Sequence, residues 1–132
     1  QTHEMIWPGK KYIIKKNLKE QNFGEWEGLE FAKIPNIGFL NNFDLFKFKP
    51  PCGESSKDLL ERVRYVIENV VRFSKRNSSL IVTHAGTIRA VIGLTLDAKW
   101  NCLDYHIDNL SITRIKILRN GRFSLIKHNI VF

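Results

Sequence analysis

Cysteine is scarce: Cys52 and Cys102 are the two in 132 residues. They form no CxxC pair and supply no disulfide framework, so a reducing, cytoplasmic setting is the expectation. No apolar run approaches the roughly 18 residues of a membrane-spanning helix, and the longest, such as Leu80–Val82 and Ala90–Leu94, suit a core instead. The histidines, His3, His84, His106 and His128, are scattered and lack HExxH or CxxC partners, so no metal-ligand cluster is legible. A signal-peptide pattern is absent from the opening Gln1-Thr2-His3-Glu4. There is no internal repeat, no block of five like charges and no helix-turn-helix, zinc-finger or aromatic RNA-binding signature.

What is present is ordinary globular composition, 43% apolar and 26% charged, which excludes a disordered or collagen-like chain. The length suits one domain. Lys and Arg outnumber Asp and Glu by 21 to 13, a formal +8. The cations are spread from Lys10 to Arg122, which reads as a solvated surface rather than a nucleic-acid or membrane face. A small anionic substrate remains compatible with that balance.

Along the chain, Thr2–Trp7 reads as a helix end stopped by Pro8-Gly9. Lys11–Lys15 is short and β-rich and reads as a strand. Asn22–Gly28, with two glycines and two acids, reads as a functional loop, and Leu29–Ile34 as one or two helical turns ended by Pro35. Residues 36–52 hold Pro50-Pro51 and the aromatics Phe39, Phe43, Phe46 and Phe48, and read as an irregular inserted lid or loop anchored by those rings. Ser55 and Asp58 are spaced as a capping box before Leu59, Val63, Val66, Ile67, Val70 and Phe73, which predicts an amphipathic helix over 56–76. Ser79–Thr83 reads as a buried parallel strand, feeding His84-Ala85-Gly86 into a second helix, Thr87–Leu96. Ala98–Asp108 is a connection. Leu110–Leu118 and Phe123–His128 alternate at period two around an Asn-Gly turn and predict a hairpin. The order predicts an α/β domain with a mixed sheet, and ligands of such sheets bind at the carboxyl edge of the strands.

His84 falls at that edge. The helix start after it offers free N–H groups and a positive dipole end, a seat for phosphate, and a histidine there can contact or protonate phosphoryl oxygens near neutral pH. The plainer reading is a histidine that only caps the strand end. Glu20, Glu25 and Glu27 crowd one loop beside Phe23 and Trp26. A carboxylate shielded by aromatics can serve as a general acid, and the plainer reading is a set of surface carboxylates. Ser55 and Glu54 at a helix start need only capping and the helix dipole to explain them.

Three segments nevertheless resemble one family. Leu18-Lys19-Glu20-Gln21-Asn22-Phe23-Gly24-Glu25-Trp26-Glu27-Gly28 is similar to the LxExxFGxWEG segment of the histidine phosphatase superfamily, in the branch with cofactor-dependent phosphoglycerate mutases. Pro51-Cys52-Gly53-Glu54-Ser55, with Asp58 and Arg62-Val63, resembles its PxGES…D…RV segment. Leu80 to Arg89 resembles its HGGxIR segment, with Ala85 replacing the usual first glycine. The three stand in the family's order, and the FGxWEG wording is similar to small phosphomonoesterases such as α-ribazole phosphatase.

The resemblance implies a three-layer α/β/α fold with a mixed, mostly parallel sheet. It implies a phosphomonoesterase working through a phosphohistidine, without metal or cofactor, on a small anionic phosphate ester. Nucleic acid and membrane are not expected partners. Glu20 matches the proton donor and His84 the second, phosphate-binding histidine; the Ala85 amide is placed to assist at the phosphate. Beyond Ala85, the sequence departs from the family's pattern at its start: the nucleophile's Arg-His-Gly tripeptide and the second phosphate-binding Arg are absent, and Gln1-Thr2-His3-Glu4-Met5-Ile6 resembles a later helix that follows both. The expectation is therefore a single, N-terminally incomplete domain over 1–132, inactive alone. The competing expectations are a phosphoglycerate mutase relative and a non-catalytic fragment that binds phosphorylated ligands.

Overall fold

A computed structural model describes residues 2–74 and 77–131. Its spine is the helix Ser56–Ser74, here α3, which follows α1 (Thr2–Ile6) and α2 (Asn42–Lys47). The start of α3 is held reciprocally: the Asp58 N–H donates to Ser55 Oγ and the Ser55 N–H to Asp58 Oδ2, both at 3.1 Å. This is the capping box read in the sequence, with aspartate in the last place. Residues 75 and 76 of the predicted helix lie outside the described residues. Leu59, Leu60, Val63, Val66 and Ile67 are buried along one face of α3, each such side chain contributing about 1.5–3 kcal/mol of burial.

Helix α4 (Ala85–Gly93) packs across α3 and adds Ala90 and Ile92 to a core completed by Phe46 and Cys102. It starts two residues before the predicted 87–96 because His84 itself takes the N-cap place, with extended backbone (φ −111°, ψ 164°). Residues 99–104 form a short 3₁₀ segment within the expected connection. The predicted hairpin is present as β1 (Ile112–Ile117) and β2 (Phe123–Ile130), paired antiparallel with Ile117 opposite Phe123. No helix among the described residues is long and apolar enough to cross a membrane.

Three expectations need correction. Residues 36–52 are not wholly irregular, because they contain α2: the Asn41 side chain accepts the Asp44 N–H at 3.0 Å, and Phe46 plugs the core. Of the other rings, Phe43 meets Trp100 edge-on at 5.0 Å and Phe48 stacks on Trp26 at 5.5 Å, whereas Phe39 is exposed. Lys11–Lys15 is not a strand; it has no regular structure and leaves Ile13 81% exposed. Ser79–Thr83 is not a buried parallel strand either: it has no regular structure, and Leu80 is 69% exposed. Both segments have strand-forming residues, but a strand is defined by a ladder of hydrogen bonds with a neighbouring strand, and the ladder among the described residues is that of β1 with β2. The sheet of the described residues is thus the two-stranded antiparallel ribbon, and the three-layer, mostly parallel arrangement is not displayed by them.

Candidate active site

The loop that carries Glu20 has little regular structure, so side chains must satisfy its backbone. Four consecutive carbonyls are taken in this way. Arg62, on α3, donates from Nη1 to the Asn17 oxygen at 2.7 Å and the Lys19 oxygen at 3.0 Å, and from Nη2 to the Glu20 oxygen at 2.9 Å. Thr83 Oγ1 donates to the Leu18 oxygen at 2.6 Å, and the fully buried Thr87 donates to the Lys19 oxygen at 3.0 Å. The same guanidinium grips Glu54 with two bonds, Nε to Oε2 at 2.9 Å and Nη2 to Oε1 at 2.6 Å. Glu54 in turn accepts the Asn22 N–H at 2.8 Å and donates its own N–H to the Asn22 oxygen at 2.8 Å.

Electrostatics fit this geometry. Burial opposes ionisation of Glu54, but the hydrogen bonds from Arg62 and the Asn22 N–H outweigh it and hold the carboxyl below its ordinary value. Asp58 is held low chiefly by the Ser55 N–H, against a smaller burial cost.

The loop delivers the Glu20 carboxylate to the start of α4. Its Oε1 accepts the Gln21 N–H at 2.9 Å and its Oε2 the Gly86 N–H at 3.3 Å. Each oxygen keeps a second lone-pair position for a proton. Gly86 permits this approach, since a methyl group there would overlap Glu20 Oε1. An open cleft of about 370 Å³ is lined by Lys19, Glu20, Gln21, Asn22, Glu27 and His84. The His84 side chain makes no capping hydrogen bond to α4 and is exposed.

Glu20 and His84, read separately in the sequence, therefore share one cleft. Ala85 opens α4 directly after His84 and is half-buried. Glu27 also lines the cleft, with Oε1 accepting the Phe23 N–H at 3.1 Å, while Glu25 faces Cys52, whose Sγ lies 3.4 Å from its Oε1. The loop's aromatics are used elsewhere: Trp26 stacks on Phe48, and Phe23 is exposed. The remaining histidines sit apart from this cleft. His3 packs on Tyr12 at 4.2 Å, His106 pairs with Asp108 at 2.8 Å, and His128 meets Tyr105 edge-on at 5.0 Å. The organising part of Glu54 and Arg62 is not legible in the local pattern, because Glu54 lies ahead of α3 and only the folded segment brings its carboxylate to the Arg62 guanidinium.

A carboxyl group and an exposed imidazole beside a helix N-terminus make a constellation suited to a phosphate ester. Comparison with known proteins gives the family. The model of the histidine phosphatase superfamily (branch 1) matches residues 1–131, and the chain belongs to that family. It is 34% identical over 117 residues to a provisionally named phosphoserine phosphatase 2 of Hydrogenobacter thermophilus, covering 81% of this chain and 55% of that protein. It is 30% identical over 120 residues to a bifunctional protein of Mycobacterium tuberculosis, covering 86% of this chain and 32% of that protein. The chain thus spans about half the length of the first relative and a third of the second.

Two solved structures share the fold. One is a provisionally assigned α-ribazole-5′-P phosphatase from Escherichia coli, with TM-score 0.78 and 20% identity, covering 98% of this chain and 66% of that one. The other is a mycobacterial glucosyl-3-phosphoglycerate phosphatase with inorganic phosphate, with TM-score 0.72 and 23% identity, covering 88% and 63%.

Proposed function

We propose that this chain carries the acid and one phosphate-binding histidine of a phosphomonoesterase that works through a phosphohistidine. The observation that supports it is the meeting of Glu20 and His84 in one cleft at the start of α4. In this reading, His84 and the Ala85 amide hold phosphoryl oxygens, aided by the helix dipole. A nucleophilic histidine nitrogen attacks phosphorus, the ester P–O bond breaks, and Glu20 passes its proton to the leaving alcohol. Water then attacks the phosphohistidine, Glu20 takes up its proton, and inorganic phosphate leaves.

His3, His106 and His128 are engaged away from the cleft, so the proposed nucleophile comes from outside residues 1–132, and this chain by itself gives no turnover. The substrate is a small anionic phosphate ester. α-Ribazole 5′-phosphate is the first to assay; phosphoserine and glucosyl-3-phosphoglycerate follow from the relatives' names. The proposed setting is the cytoplasm, consistent with Cys52 and Cys102 both being free thiols.

The test uses the active phosphatase that carries this chain. His84→Ala should slow hydrolysis by about 10²–10³-fold, the usual cost of one transition-state oxygen contact. Glu20→Gln should slow alkyl phosphates by about 10²–10⁴-fold and p-nitrophenyl phosphate, whose leaving group needs little protonation, far less. Equal losses on both esters would reject the acid role. A larger loss for Glu27→Gln would transfer that role to Glu27.

A further inference from the structure

Outside the acid and the histidine, the densest polar construction among the described residues is the Glu54–Arg62 pair, and it touches the cleft only through the Glu20 loop. We propose that Glu54 and Arg62 are positioning residues for the general acid; the inference rests on the phosphatase reading above.

One guanidinium donates to three carbonyls of the Asn17–Glu20 stretch, the last of them Glu20's own. Its partner carboxylate accepts the N–H of Asn22. The backbone is therefore pinned at the Glu20 oxygen and again at the Asn22 nitrogen, so the clamp brackets the residue whose side chain reaches Gly86. Both side chains of the clamp are largely buried, at 17% and 15% exposure for Arg62 and Glu54. The planar fork matters more than the charge: Nε and Nη2 hold the carboxylate while Nη1 and Nη2 hold the carbonyls, a division a lysine cannot reproduce. The chemistry gives the clamp its purpose. A general acid acts only within hydrogen-bond reach of the leaving oxygen, and a displacement of about 1 Å costs on the order of 10²-fold in rate.

Glu54→Gln tests this with little change of shape. The new amide has one acceptor oxygen where two were used, so a bond to Arg62 or to the Asn22 N–H must be lost. In the active phosphatase we expect kcat on an alkyl phosphate to fall about 10²-fold, with KM and the rate on p-nitrophenyl phosphate within a few-fold of wild type. Glu20→Gln/Glu54→Gln should be no slower than Glu20→Gln alone. Arg62→Lys should reproduce the selective loss. Equal losses on both esters, or additive losses in the double variant, would overturn the proposal.

A second measurement needs no turnover. In amide NMR spectra of the active phosphatase, the Gly86 N–H, bonded to Glu20 in the wild type, should shift in Glu54→Gln towards its position in Glu20→Gln, with the resonances of β1 and β2 unmoved. A Gly86 resonance unchanged from wild type would overturn the positioning role. If Glu20→Gln proves non-selective between the two esters, the acid assignment fails instead, and the Gly86 shift still decides whether the clamp places the Glu20 carboxylate.

Discussion

Gly86→Ala separates stability from chemistry at this site. Replacing glycine by alanine within a helix ordinarily stabilises by about 0.5–1 kcal/mol. Here the added methyl would overlap Glu20 Oε1 and come within 3.3 Å of Leu59 Cδ2. Overpacking a rigid core typically costs about 1–3 kcal/mol, but the main obstacle is the end of a flexible glutamate, free to swing into the open cleft. Losing its 3.3 Å bond to the Gly86 N–H costs about 0.5–1.5 kcal/mol, or somewhat more for a charged acceptor. The opposing terms nearly cancel, so the unfolding free energy should change by no more than about 1 kcal/mol. The carboxylate nevertheless leaves its place. Hydrolysis of an alkyl phosphate should then fall by about 10²-fold, approaching the Glu20→Gln value. Urea unfolding and paired assays on alkyl and p-nitrophenyl phosphates measure the two effects. A Gly86→Ala enzyme with wild-type alkyl phosphatase activity would refute the reasoning, because Glu20 would then act without its seat at the helix start.

Gly24→Ala should behave in the opposite way: its φ of +58° and a Cβ path blocked by the Pro51 oxygen and the Gly53 nitrogen are backbone obstacles, so urea denaturation should show a loss of about 2–4 kcal/mol. Cys102, its thiol pushed up to about 11 by burial, should resist iodoacetamide until the protein unfolds, while the exposed Cys52 reacts. The Cys52 thiol is held above its ordinary value by its hydrogen bond to Glu25 and that residue's charge, so Glu25→Gln should speed its alkylation. Because the folded-state values of Glu54 and Asp58 are depressed, their stabilisation is fully present above their ordinary values of 4.5 and 3.8 and is lost as pH falls below them. A pH series of urea midpoints should therefore decline in acid below these values, and Glu54→Gln should flatten the decline.

The local, periodic and capped parts of this protein are legible in its residues alone. The α3 helix was legible because its apolar spacing and the Ser55–Asp58 box act within a few residues. The hairpin was legible because an Asn-Gly turn joins two alternating segments that pair with each other. Glu20 and His84 were legible as candidates from local motifs, but not their meeting, since 64 residues separate them and only the packing of α4 against the Glu20 loop brings both to one cleft. The strand readings of Lys11–Lys15 and Ser79–Thr83 failed for a related reason: β-branched composition reports a preference, whereas a strand exists only where a neighbour supplies the other half of each hydrogen bond. Helix α2 was hidden because its short run gains stability from Phe46 in a core built by distant residues. Which acid lines the cleft and which faces a cysteine was likewise decided by tertiary structure, because Glu20, Glu25 and Glu27 are chemically alike and differ only in where the fold turns them.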